Sequence, residues 1–299
     1  MPKRGQGTRK LSGTSNFSAL LFADDYTGLN RSPEISGRIV QIMEEEFSRF
    51  GLYISYKKTH NQELPAGNAK PEYEDGTVMY SVNGNEIKQK SNCKVLGQYF
   101  NNLKPKNGYL AYRLGQASGQ FQKYKHVLCD WSVRIPARIK FLEAFVRSTL
   151  LYGLVAEYPL ENDITRISNF WYNCLREMSP GGFSYTETDE TTETSQYTYQ
   201  NSDLDEYFGT PPIRDFIYAN FLKYIAHIVR RDAAHPTKQA LFIVPERKYT
   251  QNIFNKVKFL LPSYDITDTI FKMNDREKFN QVLKNRFSYL QKQSNEQFS

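Results

Sequence analysis

The chain contains no apolar run near the ~18–20 residues that a membrane-crossing helix requires, and its mean hydropathy is −0.62. No membrane partner is therefore expected. Cysteine is scarce: Cys93, Cys129 and Cys174 stand far apart and form no CxxC pair. That spacing excludes a zinc framework and a disulfide scaffold, and it fits a reducing compartment. No apolar segment follows the basic start Met1-Pro2-Lys3-Arg4-Gly5, so a secretory signal is not expected. The expected location is intracellular, in nucleus or cytoplasm. Acidic residues are missing from the first 23 positions. No Ser/His/Asp order points to a nucleophilic triad. His227 lies in an apolar run with no Cys or carboxylate at metal-ligand spacing, so a packed or capped side chain is expected there.

What is present in quantity is aromatic. There are 21 Tyr and 20 Phe, and hydrophobic residues make up 39 % of the 299 positions. Such a chain can bury a core, which excludes wholesale disorder. Its length suits two or three units of ~100–200 residues. The net charge of +7 is regional. Nine basic residues lie between Lys104 and Arg147 against only Asp130 and Glu143, which accounts for the whole excess. Tyr109, Tyr112, Phe121, Tyr124 and Trp131 are interleaved with them. Cations mixed with aromatics attract phosphate backbones and stacked bases. The alternative is an ordinary solvated helical surface. Trp131 and Trp171 are expected to pack in the core or between helices.

Hydrophobic periodicity orders the chain as mixed α+β for about 100 residues and helical afterwards. Leu20–Ala23 and Tyr26–Leu29 predict antiparallel strands with Asp24 and Asp25 as the connecting tip. Ser32-Pro33 offers a helix start. Ile35, Ile39, Ile42, Met43 and Phe47 come next at helical spacing, and the stripe is expected to pack on that first sheet. Leu52 to Tyr56 alternates as a strand. Asn83-Gly84 predicts the turn of a second hairpin, and Cys93 to Phe100 a further short strand. Helices are expected from Tyr109, from Pro136, from Ile164, after Pro211-Pro212, and over Phe279 to Leu290. The acidic, Thr-rich stretch 183–208 reads as a flexible linker. The resulting units are 1–105, 106–182, the linker, and 209–299.

Five segments follow one another along the chain: Phe22-Ala23-Asp24-Asp25, Phe50-Gly51-Leu52 to Lys57-Lys58-Thr59, Lys94-Val95-Leu96-Gly97, Lys140 to Gly153, and Ile225 to Arg231. Their order resembles the reverse transcriptases of non-LTR (LINE-type) retrotransposons. Phe22-Ala23-Asp24-Asp25 is similar to the family's F/Y-x-D-D hairpin. The run from Phe50-Gly51-Leu52 to Lys57-Lys58-Thr59 is similar to its next strand. Lys94-Val95-Leu96-Gly97 resembles the strand that grips the primer. Lys140 to Gly153 looks like a thumb segment, and Ile225 to Arg231 like a tail element. The resemblance implies a partial palm followed by an all-helical thumb and tail. It implies RNA-directed DNA polymerase ancestry, Mg²⁺ or Mn²⁺ as cofactor, and an RNA template, a DNA primer and dNTPs as partners. Carried over residue by residue, Asp24 and Asp25 would hold the metal and Lys58 would assist pyrophosphate departure. Leu96 and Gly97 would meet the primer. Arg113, Lys123, Lys125, Arg134, Arg138, Lys140 and Arg147 would hold the duplex. Lys140 and Arg147, seven positions apart, are expected on one helix face.

The resemblance is partial. The family's third metal-binding carboxylate comes from upstream of the Asp-Asp hairpin, and residues 1–23 contain neither Asp nor Glu. A weakly active or inactive fragment is therefore expected. A non-catalytic nucleic-acid-binding protein on the same scaffold is the alternative. A generic helical interaction domain, in which the aspartates are only turn residues, is a third reading.

Overall fold

The computed structural model describes residues 19–22, 24–63, 70–102, 108–156, 159–179, 184–189, 192–197, 200–242 and 248–290. The chain forms two compact units, one within Asn16–Tyr112 and one taking up Arg113–Ser299. The first is mixed helix and antiparallel hairpin, and the second is dominated by helix, so α+β describes the architecture.

In the first unit, β1 (Ala19–Phe22) pairs antiparallel with β2 (Asp25–Gly28), and Phe22 faces Asp25. Helix α1 (Pro33–Ser48) starts at Ser32, whose hydroxyl accepts from the Ile35 amide at 3.4 Å. β3 (Val78–Val82) and β4 (Asn85–Lys88) form the second hairpin. Asn83 and Gly84 both have positive φ at its turn, as the Asn-Gly pair predicts. β5 (Asn92–Val95) and β6 (Gln98–Asn101) form a third.

The packing of α1 differs from the expectation. Its main neighbour is β3, and the face turned there runs through Gly37, Val40 and Glu44. A Cβ on Gly37 would come within 3.1 Å of the Tyr80 ring, so the missing side chain permits the close approach. Glu44 accepts from Asn83 Nδ2 at 2.6 Å and from the Tyr56 hydroxyl at 2.5 Å. Burial, and hydrogen bonding to that carboxylate, raise the Tyr56 phenol well above its usual range. Ile35 and Ile42, expected in the core, face outward. The periodicity correctly marks a helix, but these polar ties and one glycine select the other face.

Two further expectations are corrected. Leu52 to Tyr56 pairs with no described strand. The chain instead turns at Lys58, where the amides of Lys58 and Thr59 both donate to the Ser55 carbonyl. The single strand expected over Cys93 to Phe100 is a hairpin whose tip is Leu96-Gly97, both at positive φ.

α2 (Gly108–Leu128) starts in the first unit and, in the second, leads to a helix of three parts. These are α3 (Ile135–Leu142), one wide π-helical turn at Glu143–Arg147, and α4 (Ser148–Leu151). Then come α5 (Glu161–Met178), β7 (Ser184–Asp189), β8 (Thr192–Tyr197), α6 (Asn201–Phe208) and α7 (Ile213–Val229). The tail holds α8 (Pro236–Phe242), α9 (Lys248–Leu260), α10 (Ile266–Asn274) and α11 (Arg276–Arg286). α5 buries Ile164, Ile167, Trp171, Leu175 and Met178 along one face. α7 is apolar nearly all round and touches α5, α8 and α10, as a central helix must.

The expected linker 183–208 is instead an antiparallel hairpin followed by α6. Leu204 and Phe208, four apart, are buried, and α6 packs on α5 and α3. Asp205 accepts from the Tyr172 hydroxyl at 2.7 Å and from Thr210 Oγ1 at 3.0 Å. An acid that reads as solvated is thus buried, and a phenol and a hydroxyl compensate it. Burial raises its carboxyl above the usual range despite those hydrogen bonds.

Candidate nucleic-acid interface

The two aspartates do not sit together at a tip. Asp24 occupies the turn, and Asp25 is the first residue of β2; both are exposed. The connection is shifted by one residue from the expected pairing. Lys58 lies exposed in its own turn. The three hairpins of the first unit form three separate two-stranded sheets, so no ladder joins the Asp-Asp hairpin to the Leu96-Gly97 hairpin.

Among the described residues, no three His, Cys, Asp or Glu side chains gather where they could hold a metal ion. Mg²⁺ prefers several oxygen ligands in octahedral array. Two exposed, sequence-adjacent carboxylates on a hairpin do not fit a two-metal site.

At the Leu96-Gly97 hairpin the geometry is more specific. Leu96 has φ +51° and stays 45 % exposed. A branched side chain in the left-handed region is strained. Beside this tip the Tyr99 and Tyr112 rings stack at 4.7 Å, and Lys94 Nζ lies 4.9 Å from the Tyr112 ring. Sequence reasoning did not single out Tyr99 or Lys94 as site residues; only the hairpin pairing places them beside Tyr112.

The basic stretch divides into cations turned inward and cations turned outward. Lys104 and Lys106 lie outside the described residues. Arg113 is buried, with its guanidinium 4.5 Å from the Tyr152 ring centre. Arg138 is 3 % exposed and donates to the carbonyls of Leu128 at 3.2 Å and Met178 at 2.9 Å. It therefore caps the C-terminal ends of α2 and α5, where carbonyls lack helical partners. Arg147 pairs with Glu143 at 2.5 Å and lies 4.1 Å from the Phe216 ring and 5.9 Å from Trp171. Burial lowers its guanidinium below the ordinary range, although Glu143 pulls the other way. None of these three arginines is placed to meet a phosphate, which corrects the expectation for Arg113, Arg138 and Arg147. The shared face of Lys140 and Arg147 also fails. The π turn between them holds an extra residue and rotates the rest of the helix.

Lys125 is exposed but paired with Glu177 at 2.6 Å, and that hydrogen bond and charge raise its ammonium above the ordinary range. Lys123, Arg134 and Lys140 are exposed and have no carboxylate partner among the described residues. Tyr124 contacts Phe141 at 5.1 Å and Phe145 at 4.7 Å, which sets the adjoining turns of α2 and α3 side by side. Lys123 and Lys140 each precede one of the contacting rings. Trp131, in the connection between these helices, is 64 % exposed, against the expectation that it packs inside. Trp171 is fully buried as expected.

Comparison with family models, curated proteins and solved structures returns no match. None of the described helices is long and apolar enough to cross a membrane.

Proposed function

We propose that the chain binds nucleic acid through the α2–α3 face, on a scaffold related to the reverse transcriptases of non-LTR retrotransposons. The observation that carries this reading is an exposed Trp131 in the connection that also holds Arg134, between α2 with Lys123 and α3 with Lys140, all three cations exposed and without a carboxylate partner among the described residues. Cations neutralise phosphates without regard to sequence, and an exposed indole offers a stacking surface to an unpaired base or a duplex end. In its parent setting the partner is an RNA template paired with a DNA primer, met in nucleus or cytoplasm. The motif order from Asp24 to Arg231 supports that ancestry. The chain on its own is weak or inactive as a polymerase, because Asp24 and Asp25 lack a third carboxylate among the described residues. Mg²⁺ and dNTP binding belong to a complete site.

The test is binding to an RNA–DNA duplex over a salt series. Each phosphate contact adds roughly −0.9 to the slope of log K against log salt for duplex DNA, and a hybrid should be similar. Lys123→Ala, Arg134→Ala and Lys140→Ala together should flatten the slope by roughly two to three units. Trp131→Ala should weaken binding with the slope unchanged, since stacking releases no counterions. Primer extension with Mg²⁺ should be absent or very slow. If the triple variant binds like the parent chain at every salt concentration, the reading is wrong.

A further inference from the structure

The outward face of α1 carries Ile35, Arg38, Ile42 and Glu45, followed by the C-cap Arg49, spaced alternately three and four residues apart, and all are exposed. Ile35 is 45 % and Ile42 52 % exposed. Past the helix end, Phe50, at 78 %, and Leu52, at 59 %, are also exposed. The opposite face of α1 is the one that rests on β3. Ile35 and Ile42, two turns apart on this face, leave apolar area open between flanking charges, and no described residue is shown covering them.

The charges on the stripe select the occupant. Two copies of α1 laid antiparallel about a two-fold axis between Gln41 and Ile42 place Arg38 opposite Glu45 of the partner subunit, and Glu34 opposite Arg49 of the partner subunit. A two-fold axis repeats each contact. A parallel arrangement would set Arg38 against Arg38 and Glu45 against Glu45. Arg38 has no carboxylate partner among the described residues, and Glu45 accepts only from Gln41 Nε2, at 3.1 Å. Arg49 pairs with Glu46 at 3.0 Å at an exposed position, which an intermolecular contact can replace at little cost.

We propose that this face of α1 is a homodimer interface, with two copies docking antiparallel about an axis between Gln41 and Ile42. The two isoleucines beside the axis provide the apolar centre, and the Arg38–Glu45 pairs set direction and register, as charges flanking helix seams do. The inference does not rest on the nucleic-acid reading.

The experiment is sedimentation velocity on the full chain across roughly 1–100 µM, where modest helix interfaces associate. A concentration-dependent dimer is expected. Arg38→Glu alone, and Glu45→Arg alone, should each weaken it roughly tenfold or more through like-charge contacts. The double change Arg38→Glu with Glu45→Arg reverses both charges and should restore the dimer. A chain that stays monomeric over the whole range overturns the proposal. So does a dimer that ignores the single changes, or a folded double variant that does not recover. Ile42→Cys provides an independent measurement. Mild oxidation should link two copies through residue 42, whereas the parent chain, with its native Cys93, Cys129 and Cys174, serves as control. Failure of that link also overturns the register.

Discussion

Arg138→Met removes the guanidinium that joins the ends of two helices while keeping an unbranched, apolar side chain of similar reach. In the parent chain Arg138 donates to the carbonyls of Leu128 and Met178, and both of those residues are fully buried. A buried acceptor left without a partner costs about 1–3 kcal/mol. Two such carbonyls lose their donor together, while the variant gains some apolar burial and is relieved of a desolvated charge. A net loss of about 3 kcal/mol is expected. For a unit of this size, a loss of about 3 kcal/mol lowers the melting temperature by about 6–12 °C. Thermal unfolding monitored by Trp fluorescence reads this directly, because Trp171 lies in the core of the same unit. Duplex binding, measured well below the transition, should be unchanged in affinity and salt slope. A variant that melts with the parent chain but binds duplex less tightly would refute the reasoning: Arg138 would then be a surface ligand, and the helix-end account would fall.

Two other outcomes are expected. Glu161 meets Tyr218, Lys256 and Arg214; partial burial raises its carboxyl, but the hydrogen bonds from Lys256 and Tyr218 and the charges of Lys256 and Arg214 hold it below the usual range. A depressed carboxyl stabilises the fold above its unfolded value of roughly 4.3, and that contribution disappears as pH falls through the lower folded value. The melting temperature should therefore drop below about pH 4.3, and Glu161→Gln should flatten that part of the profile; an unchanged profile would mean that the cluster contributes nothing. Leu96→Asn should stabilise the first unit by about 1 kcal/mol, because Asn-Gly suits a turn with two positive φ values and Leu does not. Urea titration measures it, and a loss of stability would show that the Leu96 side chain is needed where it stands.

The local patterns that survive in three dimensions are those in which one segment suffices to satisfy its own backbone. Asn83-Gly84 specifies a turn because both residues tolerate positive φ. The apolar spacing of Ile164 to Met178 specifies a helix with one buried face, and that face is the one buried in α5. Charge is read far less well. The arginines between Lys104 and Arg147 look like one basic surface. Whether a guanidinium meets water, a ring or a helix end depends on which segments lie against it. Arg138 is internal because Leu128 and Met178, ten and forty positions away, end their helices beside it. Arg147 is largely covered because Phe216 and Trp171 lie against it. Asp205 is buried because Tyr172 supplies a donor. The outward stripe of α1 is likewise invisible in periodicity. The sequence by itself determined the amphipathic helices, the Asn-Gly hairpin and the α+β order, since these depend on backbone geometry and the period of side chains along one segment. Only the tertiary structure decided which charges remain in water and which face of α1 is left uncovered, because burial is a property of neighbours that the chain brings together from far apart.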